Sequence, residues 1–303
     1  MKNKLLSICI PTYNRAEVLD DTLNKLFSNP DFNGDLIEVL VSDNCSTDNT
    51  AEVVAKYPLV QYYRNEENVK DINFTIALGY ATGHYIRLFN DTLSFKPKAL
   101  GKMLGILKKH LEDKKNVFFY ANIQFLNINC YKEFNGIESY FKEVSYFSTW
   151  IANFGAWRED FKNIENKEKY ADLQFTQVDW SYQIVKNKRD TIIYFDDLFD
   201  VLFPNKKGGY HLIKTFVNNY LVIVKGEKLS LISYEIEKYF LCRYFIFPWL
   251  TEVLIIRKSE YSFETKNVFG IIFRKYWYEP YFYALLCVFI IRKIIFKIEG
   301  YSL

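Results

Sequence analysis

Polar side chains able to hold a charged ligand follow three apolar runs of the chain. Residues 11–15 (PTYNR) follow the first run, residues 42–48 (SDNCSTD) the second, and residues 90–92 (NDT) a later one. Their hydroxyl, amide, carboxylate and guanidinium groups can donate to and accept from a polar or anionic molecule. Asp and Asn also favour turns, so any one group alone is compatible with a simple turn. Three such groups at one place would form a polar ligand site.

The apolar runs are predicted to be strands that bring these groups together. Strand and helix patterns alternate over the first 110 residues, with strands at 5–10, 36–41, 60–63 and 85–89 and helices after 14, after 49, at 72–81 and after 97. Asn14 with Glu17, and Asn49 with Glu52, have the spacing of helix capping boxes. The alternation predicts an α/β fold with a doubly wound, mostly parallel sheet. Ligands of such sheets bind beyond the carboxyl ends of the strands, where all three polar groups lie.

Length and composition are those of a folded protein of about two domains. The chain has 303 residues, 50% of them hydrophobic and 25% charged, with a net charge of +3. So small a charge argues against a nucleic-acid partner. The sequence contains no GxGxxG, GxxxxGK[ST], GxSxG or HExxH motif, which argues against a Rossmann dehydrogenase, a P-loop NTPase, an α/β-hydrolase and a zinc protease.

The cysteines and the apolar segments predict a cytoplasmic protein. Five widely spaced cysteines without a CxxC motif indicate reduced, buried thiols. The N-terminal apolar run stops at Pro11, too early for a signal peptide. The longest uncharged apolar run, residues 280–291, has twelve residues, whereas a membrane-spanning helix needs about 20.

The second half of the chain is less regular and then becomes helical. Strands are predicted at 117–126 and 191–195, and residues 130–175 mix aromatic and charged residues, which is typical of an insertion that binds a ligand. Beyond about residue 212 the pattern is helical, with Leu229, Ile232, Ile236 and Phe240 on one face. The last segment, 268–298, alternates apolar and basic residues, which predicts a helix lying on the inner-membrane surface. A buried cap or a homodimer interface are the open alternatives.

The residues at the predicted sheet edge resemble the opening of family 2 glycosyltransferases. The matching stretches are ICIPTYNR at 8–15, VLVSDNCSTD at 39–48, and the run from 68 to 91 that includes Asn73, Gly79 and Gly83. The resemblance covers residues 5–100 well and extends more thinly to about 215. It implies a GT-A fold that binds a nucleoside-diphosphate sugar and inverts its anomeric centre.

The resemblance also implies roles for individual residues in binding the nucleotide sugar. The residues that would line the nucleotide pocket are Pro11, Thr12, Tyr13, Asn14 and Arg15. Asp43 would accept a hydrogen bond from the base, and Asn73 would lie near the ribose or the sugar. Lys206 and Lys207, in a glycine-containing loop, would offset the charge of the leaving diphosphate, although a solvated basic turn is an equal alternative.

The predicted metal site departs from the family pattern. Family members usually carry Asp-x-Asp after the fourth strand, because two carboxylates hold a hard divalent cation against the diphosphate. Here Asn90, Asp91 and Thr92 occupy that triplet, so only one position is acidic. We expect a weakly held Mg²⁺ or Mn²⁺ on Asp91, with His211 as a further ligand.

The resemblance places the general base at Asp179. This residue takes the position of the second acid of the family's Glu-Asp pair, and Val178 replaces the first. A sugar hydroxyl becomes a good nucleophile only when a base takes its proton. Asp179 as a simple helix cap is the alternative, and other nearby acids are candidates for the same role: Asp172, Asp196, Asp197 and Asp200.

These expectations combine into one functional hypothesis. We expect an inverting glycosyltransferase that moves a sugar to a glycan or lipid-linked acceptor in the synthesis of a bacterial capsule, lipooligosaccharide or O-antigen. The catalytic domain would span 1–215, with a nucleotide-sugar half at 1–110 and an acceptor half at 111–215, followed by a helical, aromatic-rich extension at 216–303. The alternatives are a nucleotidyltransferase and a non-catalytic, sugar-binding relative.

Overall fold

The computed structural model describes residues 4–113, 115–121, 130–187, 190–202, 207–208, 211–256 and 261–298. The chain forms two compact units, Met1–Pro204 and Asn205–Leu303. The sequence predicts this division at 215. The second part of the strand predicted at 117–126 lies outside the described residues.

The N-terminal unit alternates strands and helices as the sequence predicts. Its strands are β1 Leu6–Thr12, β2 Ile37–Asp43, β3 Val60–Arg64, β4 Tyr85–Leu88, β5 Leu93–Phe95, β6 Asn116–Tyr120, β7 Cys130–Asn135, β8 Gly155–Trp157, β9 Asp190–Phe195 and β10 Phe199–Val201. Its helices are α1 Ala16–Phe27, α2 Thr50–Ala55, α3 Ile72–Gly79, α4 Ala99–Lys109, α5 Ile137–Val144, α6 Arg158–Lys162 and α7 Thr176–Asn187.

The main sheet of this unit has the strand order β3-β2-β1-β4-β8. The first four strands are parallel, and β8 runs antiparallel to β4. Every residue of β1 and β2 is buried, which explains why both strands are near-continuous apolar runs. In the β1–β2 register Thr12 lies opposite Asp43, so the two strands end side by side.

The remaining strands and the helices complete a layered α/β unit. The order β6-β9-β7 forms a second sheet, and β5 pairs with β10. On α1, Leu19, Leu23 and Leu26 pack into the core at helical spacing, and α4 contributes Leu100, Met103, Leu104 and Leu107 in the same way. The predicted doubly wound, mostly parallel fold is therefore confirmed.

The two predicted capping boxes are wrong. Neither α1 nor α2 has a side-chain cap from its own N-cap residue. Asp48 serves both helices instead, because its Oδ2 accepts from Ala16 N at 3.0 Å and its Oδ1 accepts from Thr50 N at 3.2 Å. Although burial opposes the shift, these hydrogen bonds and that from the Thr50 hydroxyl lower the pKa of Asp48. The cap of α1 thus comes from a residue that sequence spacing does not connect with it.

The turn before β4 is held by Glu38, a buried acid on β2. Its carboxylate accepts from Thr82 N at 2.5 Å, from Thr82 Oγ1 at 2.7 Å and from Gly83 N at 3.1 Å, and Ser7 also donates to it. A Cβ on Gly83 would lie 2.5 Å from Ser7 Oγ, so no side chain fits there. Burial raises the pKa of Glu38, but the hydrogen bonds from Ser7, Thr82 and Gly83 outweigh it and the pKa is lowered.

The C-terminal unit is mainly helical and aromatic-rich, as the sequence predicts. Its short strands β11 Lys207–Gly208 and β12 Tyr261–Ser262 pair in parallel. Its helices are α8 Leu212–Lys214, α9 Leu221–Gly226, α10 Leu231–Phe240, α11 Phe247–Thr251, α12 Val268–Tyr276 and α13 Pro280–Ile298. π-helical turns lie at Thr215–Tyr220, Leu241–Ile246 and Glu252–Ile256.

A buried ion pair fastens the start of α13 to α10. The Lys238 side chain has no solvent exposure, and its ammonium group donates to Glu235 Oε2 at 2.8 Å, to Tyr278 Oη at 2.8 Å and to Glu279. Glu279 directly precedes α13 and its side chain is 12% exposed. A desolvated charge is tolerated only where it is paired, so this contact constrains the position of the last helix.

One helical stretch of this unit is long and apolar enough to cross a membrane. It is Leu231–Ile256, which comprises α10, α11 and two π-helical turns, and within the described part of the chain it alone meets this criterion. Of its most apolar 18-residue window, 33% is buried. Core helices of other proteins meet the same criterion, so it carries no conclusion alone.

No disulfide joins the five cysteines, all of which are described. Cys9 and Cys242 are buried as predicted, and burial raises the pKa of Cys242 to about 12, whereas Cys287 on α13 is exposed.

Candidate active site

Asp91 joins the first and third polar groups of the sequence. It lies three residues beyond β4 and is 3% exposed. Its carboxylate accepts from Thr12 Oγ1 at 2.9 Å and from Arg15 Nη1 at 2.9 Å. Its backbone carbonyl accepts from Thr22 Oγ1 on α1 at 2.9 Å. One carboxylate therefore ties the end of β1 and the start of α1 to the segment after β4.

Asn14 connects the first polar group with the second, residues 42–48. The backbone N–H of Asn14 donates to Ser46 Oγ at 2.9 Å, and Asn14 Oδ1 accepts from Thr47 N at 2.7 Å. Asn14 has φ 50°, in the left-handed region that Asn tolerates better than most residues. The prediction that the three groups meet is confirmed. We call the set Thr12, Asn14, Arg15, Asp43 and Asp91 the polar edge.

Asp43 is buried at the polar edge and has local partners that the sequence does not reveal. It is 1% exposed. Its Oδ1 accepts from Ser46 N at 2.9 Å, and its Oδ2 accepts from Tyr62 Oη at 2.6 Å and lies 3.7 Å from Arg64 Nε. Burial and the neighbouring carboxylate raise the pKa of Tyr62, so the phenol stays a donor. These contacts orient the carboxylate, whose oxygens each keep a lone pair for a further donor.

Asn73 belongs to an asparagine network that sequence reasoning missed. It is 2% exposed, and its Oδ1 accepts from Ser42 Oγ at 2.6 Å and from Asn65 Nδ2 at 3.0 Å. Asn44 donates to Asn68 Oδ1 at 2.8 Å and accepts from Asn65 Nδ2 at 3.1 Å. The network fixes the loop between β3 and α3 against the end of β2. The predicted contact of Asn73 with ribose or sugar stays a prediction.

Asn90 and Asp91 supply oxygen atoms of the kind that hard divalent cations prefer. Asn90 Oδ1 is buried and has no hydrogen-bond partner, whereas both Asp91 oxygens already accept hydrogen bonds. Across the residues that the structure describes, no three His, Cys, Asp or Glu side chains cluster as metal ligands. The donor set fits a cation held by one amide and one carboxylate oxygen, with water or substrate oxygens as its other ligands.

The other residues predicted to contact metal or diphosphate lie in the C-terminal unit. Both ring nitrogens of His211 are engaged: Nε2 donates to Lys266 O at 2.7 Å, and Nδ1 accepts from Lys214 N at 3.2 Å as the cap of α8. Lys206 lies outside the described residues, and for Lys207 only its backbone position in β11 is described. Their predicted roles stay predictions.

Asp179 is a buried acid in the first turn of α7. It is 2% exposed, accepts from Gln183 Nε2 at 2.7 Å through Oδ2, and has Lys169 Nζ 3.7 Å from Oδ1. Its neighbour Trp180 packs against Phe154 with ring centroids 5.1 Å apart. Leu88 N, at the end of β4, donates to Phe154 O at 3.2 Å. Asp179 is thereby attached, through Trp180 and Phe154, to the strand that leads to Asp91.

The competing acids have different surroundings. Asp196 pairs with Lys102, and Asp197 pairs with Lys96, whose ammonium also lies 3.8 Å from Asp200 Oδ1. Asp172 is exposed. Asp179 differs from these acids in being almost fully buried, in the first turn of α7, and its role as the general base stays a prediction.

Comparisons with known proteins agree with this architecture. Residues 7–125 match the model of glycosyl transferase family 2. The abequosyltransferase RfbV of Salmonella typhimurium is 37% identical over 122 residues, which are 38% of this chain and 34% of that protein. Poly(ribitol-phosphate) beta-N-acetylglucosaminyltransferase TarS of Staphylococcus aureus is 41% identical over 118 residues, 35% of this chain and 19% of TarS. These alignments thus span about a third of RfbV and about a fifth of TarS.

Solved structures extend the likeness to most of the chain. The crystal structure of residues 1–349 of S. aureus TarS superposes with a TM-score of 0.57 at 17% identity, over 84% of this chain and 75% of that one. The mannosyltransferase PcManGT from Pyrobaculum calidifontis, in complex with GDP-Man and Mn²⁺, superposes with a TM-score of 0.57 at 14% identity, over 97% of this chain and 88% of that one. The fold is that of GT-A glycosyltransferases. The match to glycosyl transferase family 2 is carried by residues 7–125, and the likeness of fold extends over most of the chain.

Proposed function

We propose that the protein is an inverting glycosyltransferase of bacterial surface polysaccharide synthesis, working on the cytoplasmic side of the membrane. It would transfer a sugar from a nucleoside-diphosphate sugar to a glycan or lipid-linked acceptor. The observation that carries this proposal is the polar edge, where Asp91 joins Thr12 and Arg15 within a family 2 domain. The names of RfbV, of TarS and of the putative teichuronic acid biosynthesis glycosyltransferase TuaG support the pathway class.

The polar edge can bind the two ends of a nucleoside diphosphate. Asp43, oriented by Tyr62 and Ser46, would accept an N–H of the base. Tyr13 is 42% exposed and offers a ring face for stacking, and the half-exposed Arg15 guanidinium offers N–H groups to the diphosphate. Pro11 and Thr12 are buried at the end of β1 and shape the floor of this pocket.

A divalent cation in this site would be held by Asn90 Oδ1 and the Asp91 carboxylate. When bound, it would neutralise the charge that develops on the leaving diphosphate. Arg15 already lies on the same carboxylate, so this chain's own guanidinium is placed to share that task. His211 is engaged at both nitrogens, so its predicted role as a further ligand requires those contacts to change.

Asp179 would act as the general base. It would take the proton of the acceptor hydroxyl while that oxygen attacks the anomeric carbon and the nucleoside diphosphate leaves from the opposite face. Gln183 donates to Oδ2 and holds the carboxylate in place, and Oδ1, which lies 3.7 Å from Lys169 Nζ, would take the proton of the acceptor. A single displacement of this kind inverts the anomeric configuration.

The test uses the purified full chain and a panel of UDP-, GDP-, CDP- and dTDP-sugars, with and without Mn²⁺. A donor that binds the native state raises the melting temperature. Slow hydrolysis of that donor, followed by proton NMR, should first give the free sugar of inverted configuration. Retained configuration would contradict the inverting mechanism. Binding without turnover, even with acceptors supplied, would favour the non-catalytic sugar-binding alternative, and the absence of binding to every donor would contradict the proposal.

A further inference from the structure

The last helix of the chain is apolar on two opposite sides. Over the 19 residues of α13, only Phe282 and Phe289 are buried. The residues a half-turn away are apolar too, and six of them are 45–77% exposed: Tyr283 45%, Ile290 47%, Ile291 54%, Ile294 53%, Ile295 47% and Ile298 77%. A surface helix of a globular protein normally presents polar residues on the side away from its core.

The neighbouring helix α12 carries an exposed row of aromatic residues of its own. Val268, Ile272 and Tyr276 are its buried row. The adjacent row, one residue further along the helix, is exposed and consists of Phe269 44%, Phe273 51% and Trp277 55%. Two aromatic pairs join the helices: the ring centroids of Phe269 and Phe289 are 5.9 Å apart, and those of Phe273 and Phe282 are 6.4 Å apart.

We call the exposed apolar rows of α12 and α13 together the apolar face. Its members are Phe269, Phe273, Trp277, Tyr283, Ile290, Ile291, Ile294, Ile295 and Ile298. So many exposed apolar residues on two neighbouring helices indicate an interaction site.

Basic residues flank the apolar face. Residues 268–298 contain five Lys and Arg and one acid, Glu279, which is paired with Lys238. On α13 the wheel positions of Lys293 and Lys297 border the face on one side and that of Arg292 borders it on the other. The turn between the helices and the first turn of α13 carry Trp277, Tyr278 and Tyr283, all of them exposed. Trp and Tyr are the residue types that favour the boundary between lipid and water.

We propose that the apolar face docks onto the surface of a bilayer that contains anionic phospholipids. The helices would lie in the plane of the headgroups with their apolar residues among the acyl chains and their basic residues on the phosphates. The uncharged run of α13 from 280 to 291 measures about 18 Å, too short for the hydrocarbon core of about 30 Å, so α13 lies on the membrane and does not cross it. A second copy of this chain is a poorer occupant, because it would bring another basic surface against this one.

The test measures co-sedimentation of the full chain with phosphatidylcholine vesicles that contain about one third phosphatidylglycerol, and with pure phosphatidylcholine vesicles. We expect binding to the anionic vesicles, weaker binding to the neutral ones, and release from the anionic ones at high salt. Ile294→Glu and the double variant Lys293→Glu/Lys297→Glu should each weaken binding by about tenfold or more. Leu59→Glu, a matched charge on an exposed leucine (64%) of the N-terminal unit, should bind as wild type does.

Three results would overturn this proposal. The first is wild-type protein that stays in the supernatant with both kinds of vesicle. The second is a folded Ile294→Glu variant that binds as tightly as wild type. The third is a wild-type dimer in analytical ultracentrifugation that Ile294→Glu dissociates, without vesicle binding by either, which would identify a second copy as the occupant. Vesicle binding needs neither donor nor acceptor, so the outcome is independent of the transfer reaction.

Discussion

The polar edge buries charged side chains, whereas the apolar face exposes hydrophobic ones, so both regions depart from the usual distribution of side chains. At the polar edge, Asp43 and Asp91 are carboxylates with almost no exposure, and each oxygen has a hydrogen-bond partner. At the apolar face, isoleucines and aromatic rings are about half exposed. A buried charge and an exposed apolar surface both cost free energy, and both are the kinds of departure that point to binding. On our two proposals, the difference reflects the ligand: a small polar molecule at the polar edge and an extended lipid surface at the apolar face.

The largest expected effect comes from Asp179→Asn. A general base acts mainly in the transition state, so we expect turnover to fall roughly 10²–10⁴-fold while donor affinity is unchanged. Turnover is measured by nucleoside-diphosphate release and affinity by calorimetry. Asp172→Asn, a matched change at an exposed acid, should behave as wild type. Full activity in a folded Asp179→Asn variant would transfer the role to Asp196 or Asp197.

The buried ion pair of the C-terminal unit provides the second prediction. Lys238→Met leaves Glu279 and Glu235 without their partner in a site where Lys238 itself has no exposure. Breaking a buried pair from one side costs about 3–5 kcal/mol, and urea denaturation should show a loss of that order. The control Lys293→Met, on the exposed side of α13, should be nearly neutral. Equal stability of the two variants would mean that the pair does not secure α13.

The third prediction concerns Asp43→Asn. The amide keeps the size of the side chain but replaces one acceptor oxygen with a donor, so the hydrogen bond to the base should be lost. We expect donor affinity to fall by about 1.5–3 kcal/mol, measured by calorimetry with the donor that the thermal-shift panel identifies. Asp21→Asn, on the exposed side of α1, is the control. Unchanged affinity would remove Asp43 from the base-binding role.

The smallest expected effect is a pH dependence at Glu38. Its pKa in the folded chain is below the ordinary value of 4.5, so its contribution to stability is complete above that pH and is lost as the pH falls through the folded-state pKa. Glu38→Gln should lower stability near pH 7 by about 1 kcal/mol and flatten the acid limb of the stability curve. Parallel acid limbs for the two proteins would show that Glu38 does not contribute to acid unfolding.

The parts of the fold that were predictable are those that depend on local patterns. Strands buried on both faces leave continuous apolar runs, so β1 and β2 were located correctly and their polar ends were expected at one edge. What was missed depends on contacts between distant residues. The cap that Asp48 gives to Ala16 and the hydrogen bond from Tyr62 to Asp43 have no signature in spacing.

The C-terminal unit shows the same limit in another form. Periodicity correctly placed Ile232, Ile236 and Phe240 on one face of α10, but it does not say whether a face is covered, and all three are exposed. Likewise Cys287 lies in an apolar run that the sequence suggests is buried. Only packing distinguishes an apolar residue of the core from one that meets another surface.

The position of β1 in the centre of the main sheet has a consequence for synthesis on the ribosome. Its partner β4 ends at Leu88, and Asp91, which accepts from Thr12, follows shortly afterwards. At about 5–20 residues per second, β1 leaves the ribosome several seconds before β4, so one apolar edge of the nascent sheet waits unpaired for that time. The polar edge is therefore completed only when β4 pairs with β1, and a chain interrupted before β4 carries both an unfinished polar edge and an unpaired strand edge prone to aggregate.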